Sequence, residues 1–116
     1  MALSESLKTY KVIITPHAET LLLKYIDYIQ YTLYNDQAAD NVLQDANDTA
    51  STLEKVAGSL NYCNNTKLRN LGYRKIYFLR HNYVMIYMIE GNIAYVDAIY
   101  HQSQDYENLF SEKLGL

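Results

Sequence analysis

The sequence predicts an α+β domain in which an N-terminal strand and a two-helix hairpin pack on a small antiparallel sheet, followed by a short C-terminal helix. Three observations carry this prediction. A β-rich run precedes two stretches of helical periodicity, the period changes to that of strands after Gly72, and two polar breaks then separate three apolar runs. A first strand, two helices and a meander are typical of a layered fold with helices on one face.

The first strand and the first helix are predicted over residues 10–15 and 18–33. The strand is a run rich in β-branched side chains. Thr15 and Pro16 follow, a pair that suits a helix N-cap and the first helical position, because proline needs no backbone N–H there. Beyond them, apolar residues recur at intervals of three and four, which predicts a core-facing stripe of Leu22, Tyr25, Ile26, Ile29 and Leu33.

The second helix is predicted over residues 37–57. Asn35 and Asp36 interrupt the preceding pattern and can cap the new helix, and Gly58 can end it. Two helices joined by so short a polar break form an antiparallel hairpin. The predicted core face of the second helix comprises Ala39, Leu43, Ala46, Ala50, Leu53 and Val56.

The second half of the chain is predicted to form a three-stranded meander and a short helix. Residues 59–71 contain four asparagines and no clear period, so they are interpreted as an irregular connection. The apolar and aromatic runs over residues 73–79, 83–89 and 93–100 are separated by polar breaks typical of hairpins. Residues 103–114 carry the spacing of a short capped helix.

Length and composition fit one globular domain. A chain of 116 residues with one proline, four glycines and 49% hydrophobic residues can bury a core, so we expect a single domain over residues 1–116, with a loosely ordered N-terminus at residues 1–9. Thirteen tyrosines against two phenylalanines suggest many half-buried positions. Cys63 is the sole cysteine, which excludes an intrachain disulfide and a paired-cysteine metal site. With no leader and no long apolar run, we expect a cytoplasmic protein without membrane contact.

The charges are distributed unevenly along the chain. Between Lys55 and Ile89 there are six basic residues and no acidic one, although the net charge of the whole chain is −3. Residues 1–54 hold three basic and eight acidic residues, and residues 90–116 hold one and five. Such a block attracts phosphate or an acidic polypeptide. Its members are Lys55, Lys67, Arg69, Arg74, Lys75 and Arg80.

Six short strings, taken in order, carry a family resemblance. They are YKVIITP at residues 10–16, DQAA at 36–39, LGYRKI at 71–76, YVMIY at 83–87, AIYH at 98–101 and DYENL at 105–109. Together they resemble the RelE/ParE superfamily of toxins from bacterial type II toxin–antitoxin systems. The resemblance covers nearly the whole chain and implies a toxin that a cognate antitoxin holds inactive in a hetero-oligomer.

The resemblance implies one of two targets. Members similar to RelE cleave messenger RNA on the ribosome, and members similar to ParE poison DNA gyrase. We place ribosome-dependent cleavage by a metal-independent endoribonuclease, with ribosome and messenger RNA as partners, slightly first. Gyrase inhibition without catalysis and an inactive antitoxin-binding relic are the alternatives.

RNA cleavage without a metal or another cofactor needs a general base, a cation near the phosphorus and an acid for the leaving oxygen. Arg74 lies in the LGYRKI string, and His101 lies where members resembling YoeB place a catalytic histidine. These two are the candidate catalytic residues. The candidate phosphate contacts are Lys67, Arg69, Lys75 and Arg80.

Each candidate also has a structural interpretation. Arg74 can pair with an acidic residue of a helix, His101 can be a packing residue, and Arg80 with His81 can form a solvated hairpin tip. One position departs from the ribosome-dependent members, which carry an arginine three residues before the last tyrosine of the YVMIY string, where this chain has Val84. Loss of such a transition-state contact costs about 10²- to 10³-fold in rate, which keeps gyrase inhibition open.

Overall fold

A computed structural model describes residues 9–116, which form one four-stranded sheet with helices on both faces. Strand β1 (Lys11–Ile14) leads into helix α1 (Pro16–Asp27), which continues as a π-helical turn (Tyr28–Thr32). Helix α2 (Asp36–Val56) follows and passes into a 3₁₀ turn (Ala57–Ser59). The remaining elements are α3 (Thr66–Asn70), β2 (Arg74–Tyr77), β3 (Tyr83–Glu90), β4 (Ile93–His101) and α4 (Tyr106–Lys113). The expected loose N-terminus at residues 1–9 lies, except for Thr9, outside the described residues.

The strand order is β1-β4-β3-β2. Strands β2, β3 and β4 form the predicted antiparallel meander, so the fold class and the order of elements are confirmed. Strand β1 pairs in parallel with β4, with Lys11 opposite Ile93 and Ile14 opposite Val96. The sheet is therefore mixed rather than wholly antiparallel, because β1 joins it beside the last strand of the meander and runs in the same direction.

Both helices of the hairpin begin at the predicted caps. The Thr15 hydroxyl accepts a hydrogen bond from the Ala18 N–H at 3.4 Å, and the Asn35 side chain accepts one from the Ala38 N–H at 3.0 Å. The end of α2 differs from the prediction, because Gly58 is not among the glycines with positive φ. The Tyr10 side chain lies against Gly58 where a Cβ would stand. Glycine is therefore needed here to let the Tyr10 ring pack against the backbone, and not to end the helix.

The irregular connection predicted over residues 59–71 contains the short helix α3, so that prediction is wrong in part. The Asn65 side chain caps α3 by accepting the N–H groups of Lys67 and Leu68 at 3.0 and 3.2 Å. Leu68 is fully buried and anchors the helix. A helix of five residues is too short to show a 3.6-residue period, so the sequence pattern does not display it.

Two apolar layers cover the faces of the sheet. Helices α1 and α2 pack on one face, where the buried residues include Leu22, Ile26, Val42, Leu53, Met85, Tyr87 and Ile99. Helices α3 and α4 pack on the other face. The buried residues there include Cys63, Leu68, Val84, Ile86, Tyr100 and Phe110. Leu43, predicted in the core, is 40% exposed, because α2 turns Asp45 and Thr49 inward instead. Within the described range, no helix combines the length and the apolar character needed to cross a membrane.

Candidate functional site

Arg74, one of the two candidate catalytic residues, is engaged in internal contacts. Its guanidinium donates to the carbonyl oxygens of Leu60 at 2.5 Å and Gly58 at 3.4 Å, and to the Tyr62 hydroxyl at 2.8 Å. It also lies 4.0 Å from the centre of the Tyr62 ring. The side chain therefore holds the segment after α2 against the edge of the sheet, where sequence analysis expected either a phosphate or a helix carboxylate.

Lys75 is paired with the C-terminal helix. Its Nζ lies 2.6 Å from Glu107 Oε2, and both side chains are nearly buried. The other Glu107 oxygen accepts the N–H of Asn65 at 2.7 Å. Burial lowers the pKa of Lys75, but the hydrogen bond and the charge of Glu107 outweigh it, so the pKa lies above its ordinary value. Lys75 therefore stays charged and joins β2 to α4 and to the start of α3.

Arg80 and His81 lie in the β2–β3 turn, which is bonded to α2 through a buried carboxylate. Asp45 is 0% exposed, and its Oδ2 accepts the N–H groups of Arg80 and His81 at 3.1 and 2.8 Å. The same oxygen lies 2.7 Å from His81 Nδ1. Thr49, also buried, accepts the N–H of Leu79 at 3.2 Å. Four polar contacts from one helix face therefore fix this turn, and that requirement explains why Asp45 and Thr49 point inward.

The charges of this cluster compensate one another. Arg80 forms an ion pair with Asp48 and lies 3.7 Å from Asp45 Oδ1. Burial raises the pKa of Asp45, but its hydrogen bonds with His81 and Arg80 outweigh burial, so the pKa lies below the ordinary value. Arg80 thus meets two carboxylates, which weakens its attraction for a phosphate.

Lys67 and Arg69 remain exposed on α3. Neither forms an ion pair with a carboxylate of residues 9–116, in contrast to Lys75 and Arg80. They are therefore the candidate phosphate contacts whose charge is available to a partner. A short helix that presents two cations to solvent suits an anionic polymer or an acidic peptide segment.

His101 ends β4 and lines a groove between the end of the hairpin and the sheet. Its Nδ1 lies 2.7 Å from the Ser103 hydroxyl, and its ring meets the Tyr83 ring edge-on at 5.1 Å. The groove has a volume of about 410 Å³. Its walls include Ile29, Leu33, Val42, Arg80, His81, Tyr83 and His101. The groove thus brings His101 together with Arg80 and His81, which sequence analysis interpreted as a solvated hairpin tip. The sequence signal for the contact between this turn and α2 is Asp45, an acidic residue on the apolar face of that helix.

The two candidate catalytic residues lie at opposite ends of the sheet. Arg74 is opposite Tyr87 on β3, whereas His101 is opposite Tyr83, four residues along the same strand. With about 3.3 Å per residue and about 4.8 Å per strand spacing, their Cα atoms are roughly 16 Å apart. In this arrangement the Arg74 guanidinium is held by Leu60 and Tyr62, whereas the His101 ring contacts Ser103, so the two side chains do not converge on one point.

Comparison with known proteins agrees with the fold. The model of the family described as the ParE toxin of the type II toxin–antitoxin system, parDE, matches residues 12–106. A solved structure titled as a chromosomal ParDE toxin–antitoxin system from P. aeruginosa is similar at 17% sequence identity, with a TM-score of 0.67, covering 81% of this chain and 97% of that chain. No curated protein sequence matches. The order of strands and helices, together with the family match over most of the chain, identifies a toxin of the RelE/ParE superfamily. The chain belongs to the ParE toxin family of type II toxin–antitoxin systems.

Proposed function

We propose that this chain is the toxin of a toxin–antitoxin pair and that it inhibits DNA gyrase by binding, without catalysing a reaction itself. The family match over residues 12–106 carries the proposal, because ParE-like members of the superfamily are those that poison gyrase. A gyrase inhibitor acts in the cytoplasm. Ribosome-dependent messenger RNA cleavage becomes the second candidate.

The positions of the basic residues support a binding role. Arg74, Lys75 and Arg80 each have internal partners, and Arg74 is roughly 16 Å from His101 by strand spacing. A metal-independent nuclease needs its acid, base and cation around one phosphate. A protein inhibitor needs only a complementary surface, which these internal contacts make rigid.

The deciding experiment measures supercoiling by purified gyrase in the presence of the purified chain. We expect inhibition that rises with toxin concentration, that the antitoxin reverses, and that His101→Ala leaves unchanged. Primer extension on transcripts from cells that briefly express the chain runs in parallel and should show intact messages. Uninhibited gyrase together with growth arrest contradicts the proposal, and normal growth at verified expression favours an inactive relic.

One arrangement favours messenger RNA cleavage as the second candidate. Asp45 fixes the His81 ring through Nδ1, and the groove that His81 lines also holds His101 and Arg80. An imidazole oriented by a buried carboxylate is a recognised general base. If this groove cleaves RNA, discrete cuts in translated regions should disappear in His81→Ala and in His101→Ala. Their persistence in both variants excludes the groove as the active site.

We further propose that an acidic segment of the cognate antitoxin contacts α3. Lys67 and Arg69 offer two exposed charges there without partners among residues 9–116, and a disordered acidic segment can fold against such a surface. We expect Lys67→Glu with Arg69→Glu to weaken antitoxin binding at least tenfold. Lys24→Glu with Lys55→Glu, on the exposed faces of α1 and α2, is the charge-matched control and should bind normally. Equal affinity of the double variant and the control contradicts this contact.

A further inference from the structure

The tip of the helix hairpin exposes an unusual amount of aromatic and aliphatic surface. Tyr28, Tyr31, Leu33 and Tyr34 are 56%, 67%, 55% and 88% exposed. Single exposed apolar side chains are common, but here four are concentrated within seven consecutive residues at one end of the hairpin. We call these four residues the tyrosine tip. No hydrogen bond joins their side chains to another residue within 9–116.

The backbone of the tyrosine tip is irregular at the same place. The last turn of α1 is π-helical from Tyr28 to Thr32, and Tyr34 lies in the left-handed region with φ of 51°. Glycine or asparagine would adopt that φ more easily, and π turns and left-handed residues are concentrated at functional sites. Asn35 already supplies the cap of α2. The Tyr34 side chain is 88% exposed and does not supply this cap, although its position carries backbone strain.

The charges around the tyrosine tip constrain what can dock there. Asp27, Asp36 and Asp40 are exposed around it, against Lys24 and against Arg80, whose charge is already paired with Asp48. A second copy of this chain would bring the acidic rims together, and an acidic antitoxin segment would be repelled as well. A surface with an apolar pocket and a rim of lysine or arginine is complementary.

We infer that the tyrosine tip is the surface that docks on the target, seating its aromatic rings in an apolar pocket with a basic rim. This inference rests on the proposed function, so the target is gyrase. Leu33 of the tyrosine tip also lines the hairpin side of the groove, so the docking surface reaches the rim of that groove without including His101. Tyrosines with few rotamers and a polar end are common binding hot spots. The antitoxin then engages α3 on the opposite sheet face from the hairpin.

The test uses a double variant that carries both Tyr31→Ser and Tyr34→Ser. It is compared with wild type and with the control variant Tyr77→Ser. Tyr77 is a 48% exposed tyrosine on β2, outside the tyrosine tip and the groove. Binding to immobilised gyrase, inhibition of supercoiling and binding to the purified antitoxin are measured for each. We expect the double variant to lose at least tenfold in gyrase affinity and inhibition, with antitoxin affinity within twofold of wild type. Tyr77→Ser should match wild type in all three assays.

The outcomes separate this inference from the proposed function. If wild type and the double variant bind gyrase equally, the inference is overturned and the proposed function stands. If wild type itself does not bind gyrase, the proposed function fails and the docking assignment falls with it. Loss of antitoxin binding in the double variant would assign the tyrosine tip to the antitoxin. If wild type sediments as a dimer and the double variant as a monomer, the tyrosine tip is the contact between two copies of the chain. Either of these last two results overturns the inference.

Discussion

Two short connections in this molecule use their residues in opposite ways. The β2–β3 turn carries Arg80 and His81, which are polar, yet it is fixed to α2 by buried Asp45 and Thr49. The tip of the helix hairpin carries Tyr31 and other large apolar side chains, yet they project into solvent. Charged residues thus hold the fold together in one connection, while aromatic residues provide free surface in the other. Residue type alone therefore does not separate structural positions from exposed ones in this chain.

Removal of the Asp45 carboxylate should produce the largest loss of stability. Asp45→Ala removes a buried carboxylate and leaves the partly buried N–H groups of Arg80 and His81 without their acceptor, which costs about 3 kcal/mol. Urea unfolding followed by circular dichroism measures the loss. Asp48→Ala removes the exposed partner of the same Arg80 and should cost far less. Equal losses in the two variants would mean that the buried contacts do not fix the turn.

Arg74 offers the second comparison, between a structural and a catalytic role. Arg74→Ala leaves the carbonyl oxygens of Leu60 and Gly58 without their donor, which we expect to lower the free energy of unfolding by about 2 kcal/mol. His101→Ala, at the half-exposed end of β4, should lower it much less. The same urea titration compares them. An Arg74→Ala protein as stable as wild type would make this arginine available for chemistry.

Acid should weaken the β2–β3 turn selectively. Because the pKa of Asp45 is lowered from its ordinary value of 3.8 on folding, ionised Asp45 stabilises the protein above that pH. The contribution is lost as pH falls through the lowered folded value. We expect the difference in unfolding free energy between wild type and Asp45→Asn to shrink from about pH 5 to about pH 2. A constant difference would show that the carboxylate charge does not contribute.

The sequence predicted what local chemistry determines. The caps at Thr15 and Asn35 and the strands of the meander depend on neighbouring residues, and these predictions are confirmed. The partners of Lys75 and Arg80 could not be predicted in this way. Glu107 is 32 residues from Lys75, and Asp48 is 32 residues from Arg80, so only the fold brings each pair together. Folding therefore pairs Lys75 and Arg80 of the basic block with distant acids, while Lys67 and Arg69 stay exposed without a carboxylate partner among residues 9–116.

The hairpin tip was mispredicted for a different reason. The period of α1 placed Leu33 in the core stripe, but Leu33 is 55% exposed. The π-helical turn from Tyr28 to Thr32 accommodates more residues per turn than an α-helix, which rotates every later side chain away from its expected direction. Periodicity assumes a regular helix, so it fails where the backbone departs from one.

The smallest expected effect has the opposite sign and tests whether the tyrosine tip is strained. Tyr34→Asn places at φ of 51° a residue that tolerates the left-handed region. We expect the free energy of unfolding to rise by about 0.5 kcal/mol, since the strain is partly relieved and no packing is lost. Ser51→Asn, on the exposed face of α2, is the control and should not stabilise. Gain of stability with weaker gyrase binding would mean that Tyr34 is retained for its partner, whereas a loss of stability would mean that its side chain supports the hairpin.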